Sequence, residues 1–208
     1  MKAPHSMGET CVNVRYKSLL IVSTLLFASA SPAFSRPQVW VAVRSEVIFD
    51  QDGKITGLRH VWEFDELYSA YVVQGLGRDG KPPTREGLAS LAKTNVESIA
   101  QAEYFTLAKQ GSVKLKFKNP VDATLDVDQE KIVRLRFVLP LETPFSAREP
   151  FSFQVHDPSY LVSFGFEKQD PVTMELAPPG CSLNLVEPTP LIGPFGLQAP
   201  TSATLVCP

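Results

Sequence analysis

Alternating apolar residues on both sides of a tight-turn signal constrain the fold of this chain more than any other feature. From Val39 to Phe49, the apolar residues Val39, Val41, Val43, Val47 and Phe49 share one face by the two-residue period, as in a strand with one buried face. The Asp52-Gly53 dipeptide, typical of tight hairpin turns, follows this run. A second alternating run extends from Lys54 to Phe64 and places Leu58, His60, Trp62 and Phe64 on one face. The pattern predicts two adjacent antiparallel strands.

Further short strand patterns return later in the chain, and most of the segments between them contain proline. They cover residues 113–117, 123–127, 132–139, 151–156, 160–167, 172–176 and 182–187. Antiparallel pairing of the first two would set the lysines at 114, 116 and 118 against the aspartates at 126 and 128. Strands with turn signals about ten residues apart are typical of all-β sandwiches. The fold class is therefore predicted to be mostly β, as an immunoglobulin-like β-sandwich.

A helical period interrupts the strands between residues 65 and 104. Asp65 or Ser69 can cap a first helix over about 66–74, and Thr84 opens a second one that reaches about 103. The first helix carries Leu67, Ala70, Tyr71 and Gln74 at helical spacing, and the second has a buried stripe of Leu88, Leu91, Ala92, Asn95, Val96 and Ile99. A helix–loop–helix insertion at about 65–104 is predicted.

The loop of this insertion has the proportions of an EF-hand. Aligning Gly80 with the invariant glycine puts Gly75 and Gly77 at the first two ligand positions, Asp79 at the fifth and Glu86 at the twelfth. Calcium needs several oxygen ligands, and the two glycines supply no side-chain oxygen. The insertion is therefore interpreted as a degenerate EF-hand-like loop with Asp79 and Glu86 as its remaining carboxylates.

The beginning of the chain has the order of regions found in secretory signal peptides. Basic residues Arg15 and Lys17 precede an apolar run from Leu19 to Ala28, which small residues around Pro32 follow. The alternative, a membrane anchor, needs an apolar run of roughly 20 residues. We predict a signal peptide over residues 1–35, a sandwich domain over 36–187, and a periplasmic protein without stable membrane insertion.

Charge composition argues against nucleic acid as a partner. Acidic residues outnumber basic ones by 22 to 20, and removal of residues 1–35 increases the excess because most charged residues there are basic. Proteins that bind nucleic acid need clustered lysine and arginine.

Two cysteines, Cys181 and Cys207, follow the predicted signal peptide. In an oxidising compartment an even pair favours a disulfide over two free thiols, and a metal site lacks both a Cys-x-x-Cys spacing and a neighbouring histidine. The bond would tie back a Pro- and Gly-rich C-terminal strap over residues 188–208.

Only two histidines follow the predicted signal peptide, and both lie near aspartates. His60 is either a hydrogen-bonded core residue or a metal ligand, and His156 is either a turn residue bonded to Asp157 or a ligand. A transition-metal site would need His60, His156, Asp65 and Asp157 to converge, because such sites use three or four protein ligands.

An ordered series of short motifs resembles the bacterial domain-of-unknown-function family 1007. The series comprises Val39-Trp40-Val41, the run from Arg59 to Glu66, Ser69-Ala70-Tyr71, Asn95-Val96-Glu97-Ser98, Tyr104-Phe105-Thr106, Asp157-Pro158-Ser159-Tyr160 and Pro179-Gly180-Cys181. The resemblance covers nearly the whole chain after residue 35.

The resemblance implies an exported protein that serves a transport system. Family members are described as the periplasmic component of an uncharacterised ABC-type transport system, and their genes tend to lie beside nickel/cobalt-type exporters. A link with divalent zinc, nickel or cobalt is thereby implied. Family members usually begin the mature chain with His-Pro-His, where this chain has Arg36, Pro37 and Gln38.

No enzyme motif accompanies these features. The chain has no Gly-x-Ser-x-Gly and no His-Glu-x-x-His, and it is predicted not to be an enzyme. Two hypotheses remain: a periplasmic accessory or binding protein of a transport system, linked to divalent metal and partnered by a membrane transport component, or a non-catalytic structural or protein-interaction sandwich without metal binding.

Overall fold

The two alternating runs at the start of the described region form a hairpin that leads into the rest of the fold. The computed structural model describes residues 39–76, 83–187 and 200–208, so the predicted signal peptide lies outside the described residues. The strands are β1 Val39–Phe49, β2 Lys54–Phe64, β3 Thr106–Gln110, β4 Val113–Lys114, β5 Val121–Val127, β6 Val133–Ser146, β7 Phe151–Val155, β8 Val162–Phe166, β9 Val172–Glu175, β10 Ser182–Val186 and β11 Ser202–Val206. The helices are α1 Glu66–Leu76 and α2 Arg85–Ser98, and a 3₁₀ segment covers Ala100–Phe105.

The first sheet is built around the predicted hairpin. Its strand order is β5-β6-β2-β1-β8, and β9 also pairs with β1. Asp50 fixes the β1–β2 turn, because its Oδ1 accepts the N–H groups of Asp52 and Lys54 at 2.9 Å each, and Gly53 supplies the left-handed φ of 72°. The strands β8 and β9 pair with β1 in parallel, one after the other along its length. The predicted hairpin is confirmed.

The second sheet has the order β10-β11-β7-β3-β4, and its strand pairs are all antiparallel. Its inward side chains pack against those of the first sheet. The ring of Phe153 lies 6.2 Å from that of His60 and 6.0 Å from that of Phe166, centroid to centroid. The expected mostly β sandwich is confirmed.

The helical insertion is also confirmed, and it is anchored to the first sheet. The helix α2 buries Ala92 and Val96 and contacts β5. Ser69 of α1 is buried, and its hydroxyl accepts the N–H of Val133, the first residue of β6, at 3.0 Å. Thr84 caps α2 as predicted, since its Oγ1 accepts the N–H of Gly87 at 3.1 Å.

The predicted pairing of lysines with aspartates in a local hairpin is wrong. The strand β4 pairs with β3 in the second sheet, whereas β5 pairs with β6 in the first. Asp126 therefore forms its ion pair with Arg136, and the lysine at 114 pairs with Glu103. The strands β4 and β5 belong to different sheets, and Phe117, which follows β4, forms a bridge with Leu141 of β6.

The C-terminal segment is part of the sandwich. The strand β11 lies between β10 and β7, so residues 202–206 of the predicted strap are a strand, while residues 188–199 lie outside the described residues. Cys181 and Cys207 form the predicted disulfide, with Cα atoms 4.1 Å apart. The bond joins the chain immediately before β10 to the chain immediately after β11.

Removing this disulfide should lower the free energy of unfolding by roughly 3 kcal/mol, because the bond closes a loop of 26 residues in the unfolded chain. We expect a Cys181→Ser/Cys207→Ser variant to show this loss in urea unfolding, relative to the oxidised wild type. A reducing agent should produce the same loss in the wild type and none in the variant. Equal stability of the oxidised and reduced wild type would contradict the prediction.

Candidate functional site

Four of the motifs that carry the family resemblance meet at one end of the sandwich. The N–H of Trp40 donates to Asp65 Oδ2 at 2.7 Å, and the N–H of Asp65 donates to the carbonyl of Trp40 at 3.0 Å. The N–H of His156 donates to the carbonyl of Phe105 at 2.8 Å. Val39 pairs with Val162, which follows the Asp-Pro-Ser-Tyr motif. We call this region the motif end.

Asp65 joins β1 to the beginning of α1. Besides its bond to Trp40, its Oδ1 accepts the N–H of Tyr68 at 2.8 Å, which makes Asp65 the N-terminal cap of the helix. The ring of Tyr68 stacks on Phe64 with centroids 4.6 Å apart. Asp65, one of the two predicted caps, therefore fixes both the strand and the helix.

An aromatic cluster fills the interior of the motif end. The ring of Trp62 lies 4.9 Å from those of Phe137 and Phe164, and 6.4 Å from that of Phe105, measured between centroids. The indole Nε1 of Trp62 is buried and has no hydrogen-bond partner among the described residues. Aromatic pairs at these distances contribute about 0.5–1.5 kcal/mol each beyond the area they bury.

A strained turn holds Phe105 over this cluster. Three consecutive residues, Glu103, Tyr104 and Phe105, have φ values of 50°, 57° and 51°. Left-handed backbone at a residue with a side chain costs on the order of 1 kcal/mol or more. The turn is stabilised by burial of Tyr104 and by the ion pair between Glu103 and Lys114.

Asp157 organises the loop between β7 and β8. This residue is only 3% exposed. Oδ1 accepts the N–H of Ser159 at 2.8 Å, and Oδ2 accepts the N–H groups of Leu161 and Val162 at 3.0 and 2.9 Å. Burial opposes ionisation, but these bonds and that from the Ser159 hydroxyl outweigh it, so the pKa of Asp157 lies below its ordinary value.

His156 lies next to this aspartate and is half-buried. Its ring packs edge-on against Tyr160, with centroids 5.1 Å apart. Burial lowers the pKa of His156, although the negative charge of Asp157 opposes that change.

His60 lies in the sandwich core. Its Nδ1 is 2.8 Å from the hydroxyl of Ser45, and its Nε2 is 3.4 Å from that of Thr106. The ring is fully buried beside Phe137 and Phe153, and this burial lowers the pKa of His60 from 6.5 to about 3. The neutral ring thus links the two sheets through hydroxyl groups.

Three of the four predicted metal ligands are engaged in hydrogen bonds through their side chains, whereas the ring of His156 packs against Tyr160. Both oxygens of Asp65 and of Asp157 accept N–H groups, and both nitrogens of His60 contact hydroxyls. Within residues 39–76, 83–187 and 200–208, no three His, Cys, Asp or Glu side chains form a group that could hold a metal ion. A metal at these positions would have to displace the cap of α1 or the bonds that shape the Asp157 loop.

The EF-hand-like loop is described only at its borders. Gly75 lies in the last turn of α1, and Glu86 lies exposed in the first turn of α2. Gly77, Asp79 and Gly80 lie outside the described residues.

An apolar surface is present on α1. Leu67 is 79% exposed and Tyr71 is 75% exposed, and they lie one turn apart on the same side of the helix. A groove of about 430 Å³ adjoins them and is lined by Tyr68, Tyr71, Val72, Gln74, Gly75, Leu76 and Leu91. We call Leu67, Tyr71 and this groove the helix-hairpin surface.

A family profile matches most of the sequence of this chain. The profile of a family described as "Protein of unknown function (DUF1007)" matches residues 21–196. The chain belongs to the DUF1007 family. A search among curated proteins finds no match. In this DUF1007 protein the motif end lies wholly within the matched range.

The sequence predicted that Leu67, Ala70, Tyr71 and Gln74 lie at helical spacing on α1, but it did not predict whether they face the sheet or the solvent. Ser69 and Val72 are the buried residues of α1, so Leu67 and Tyr71 face outward in this DUF1007 protein. The bonds of Asp65 and Ser69 to the sheet set this orientation. Among the helices of the described region, none is long and apolar enough to cross a membrane.

Proposed function

We propose that this DUF1007 protein is an exported, non-enzymatic periplasmic accessory protein that binds the membrane component of a transport system. The helix-hairpin surface is the observation that carries the proposal. The transport role is supported by the ordered series of motifs, because this series resembles that of family members described as periplasmic components of a transport system.

The helix-hairpin surface has the composition of a protein-binding patch. Leu67, Tyr71 and the groove beside them expose apolar surface, and burying this surface against a partner is favourable. Aromatic residues such as Tyr71 are also enriched at the centres of protein interfaces. The helix that carries them is fixed from behind by Asp65 and Ser69. A partner therefore meets a preformed surface and loses little conformational freedom on that side.

Any metal handling belongs to the transport system and not to this sandwich. The carboxylates of Asp65 and Asp157 and the ring of His60 stabilise the fold in their observed bonds. Recruiting them as ligands would expose buried N–H and hydroxyl groups, each at a cost of about 1–3 kcal/mol.

Site-specific photo-crosslinking in the native host tests this function. A photoreactive residue at Tyr71 in the full chain should crosslink to an integral membrane subunit of a transporter, identified by mass spectrometry. The matched control carries the same residue at Val113, an exposed apolar position on β4, and should not give this product. Leu67→Glu should reduce the crosslink at position 71 about tenfold, as for an interface hot spot.

A crosslink at Tyr71 to soluble proteins alone, or equal products from both positions, would overturn the proposal. Metal titration of the purified protein gives an independent reading. Tight zinc binding that His60→Ala or Asp157→Asn abolishes would instead assign metal handling to the sandwich.

A further inference from the structure

A second concave surface lies on the outward face of the first sheet. This sheet-face groove has a volume of about 430 Å³ and is lined by Arg44, Ser45, Glu46, Arg59, Val61, Gln169, Asp170 and Thr173. Its wall is the connection between β8 and β9. That connection is held to β1 at both ends, because the N–H of Glu167 donates to Val43 and the N–H of Ser45 donates to Pro171.

The polar groups of the groove carry both signs of charge, and ion pairs hold some of them in place. Arg59 forms ion pairs with Glu46 and with Glu175, the latter at 3.0 Å. Arg44 is exposed and forms no ion pair with the part of the chain that the structure describes. Asp170 is exposed on the wall. Guanidinium donors and carboxylate acceptors therefore line one groove.

An exposed indole lies on the same face of β1. Trp40 is 58% exposed, and strand alternation places Trp40, Ala42, Arg44 and Glu46 on one side of the sheet. Ala42 pairs with Gly165, where an added Cβ would meet nothing within 4 Å. On the β8 side the path from Trp40 to Arg44 is thus bordered by the small residues Ser163 and Gly165, whereas on the β2 side Ala42 pairs with Glu63. The path extends about 13 Å along the strand.

We infer that this face binds a neutral oligosaccharide, with one sugar ring stacked on Trp40 and the hydroxyls of the following units bonded in the sheet-face groove. A sugar ring presents a patch of C–H groups that packs on an indole face. Its hydroxyls both donate and accept hydrogen bonds, so they satisfy arginine and carboxylate groups together. Glu46, Asp170 and Glu175 repel an anion, and Arg44 and Arg59 repel a cation.

This inference is independent of the transport partner, because the residues of the helix-hairpin surface take no part in it. Isothermal titration of the exported protein tests it with two probes, the β-1,4-linked tetramer of N-acetylglucosamine and the α-1,4-linked tetramer of glucose. We expect at least one of them to bind. Trp40→Ala and Arg44→Ala should each weaken that binding about tenfold, as for the loss of one stacking or charge-assisted contact.

Two matched variants serve as controls. Tyr71→Ala removes an exposed aromatic residue from α1, and Arg148→Ala removes an exposed arginine outside the groove. Both should bind the probe like the wild type. The inference is overturned if neither probe binds, if Trp40→Ala and Arg44→Ala bind as tightly as the controls, or if inorganic phosphate competes for the groove.

Discussion

Replacing His60 by alanine is expected to lower the free energy of unfolding by about 4 kcal/mol. The change removes a fully buried ring that packs on Phe137 and Phe153, and it leaves the hydroxyls of Ser45 and Thr106 without their partner between the sheets. Urea unfolding at pH 7.5 measures the loss. His156→Ala is the matched control, and its half-buried ring should cost far less.

His60 should also make stability depend on pH. Its pKa is lowered to about 3, whereas the unfolded chain has the ordinary value of 6.5, so between these values only the unfolded chain binds the proton. The contribution of His60 is complete above pH 6.5 and falls as the pH decreases toward 3, by at most about 1.4 kcal/mol per pH unit. Lost stability should therefore accumulate as the solution is acidified below pH 6.5.

A comparison of three proteins between pH 7.5 and 5 isolates this effect. His60→Gln should show a shallower decline in stability than the wild type. His156→Gln measures how much of the pH-dependent loss of stability comes from His156, the other histidine whose pKa is lowered by burial. Identical slopes for the wild type and His60→Gln would show that the buried ring accepts a proton without unfolding.

The fold was largely predictable because its signals are local. The two-residue period around Asp52-Gly53 specifies a hairpin, and the helical period after Asp65 specifies the insertion. Each of these patterns is decided by contacts within a few residues of the chain.

Strand partners were not predictable from local pattern. The strands β4 and β5 are close in sequence but join opposite sheets, and β8 pairs in parallel with β1 from more than a hundred residues away. Alternation states that one face of a strand is buried, but it does not state which strand lies beside it. The sheet-face groove depends on this distant pairing and was missed for that reason.

The residues of the motif end were identified from the sequence, but different roles were predicted for them. Asp65 and Asp157 attract attention as possible metal ligands, whereas both bind backbone N–H groups at the start of a helix or loop. For Asp157, the sequence signal of this role is Asp157-Pro158-Ser159, because an aspartate side chain readily accepts the N–H of the residue two positions later.

Substituting Asp157 by alanine is the second change expected to have a large effect, with a loss of about 4 kcal/mol in the free energy of unfolding. Three N–H groups, those of Ser159, Leu161 and Val162, lose their acceptor at a nearly buried position, and each such loss costs about 1–3 kcal/mol if water does not replace it. Asp157→Asn should cost less because the amide keeps one acceptor oxygen. The exposed Asp52→Ala is the control and should stay within about 0.5 kcal/mol of the wild type.

The pH dependence of the stability difference between the wild type and Asp157→Asn distinguishes the effect of the negative charge of Asp157 from the effect of its oxygen geometry. Because its pKa lies below the ordinary 3.8, the ionised carboxylate stabilises the folded chain above that value, and the contribution disappears as the pH falls through the lowered pKa. The stability difference between the wild type and Asp157→Asn should therefore be constant from pH 7 to 5 and shrink below about pH 4. A difference that persists undiminished in acid would mean that oxygen geometry, and not the negative charge, holds the loop. A loss below 1 kcal/mol for Asp157→Ala would mean that solvent satisfies the three N–H groups and that the loop does not depend on this side chain.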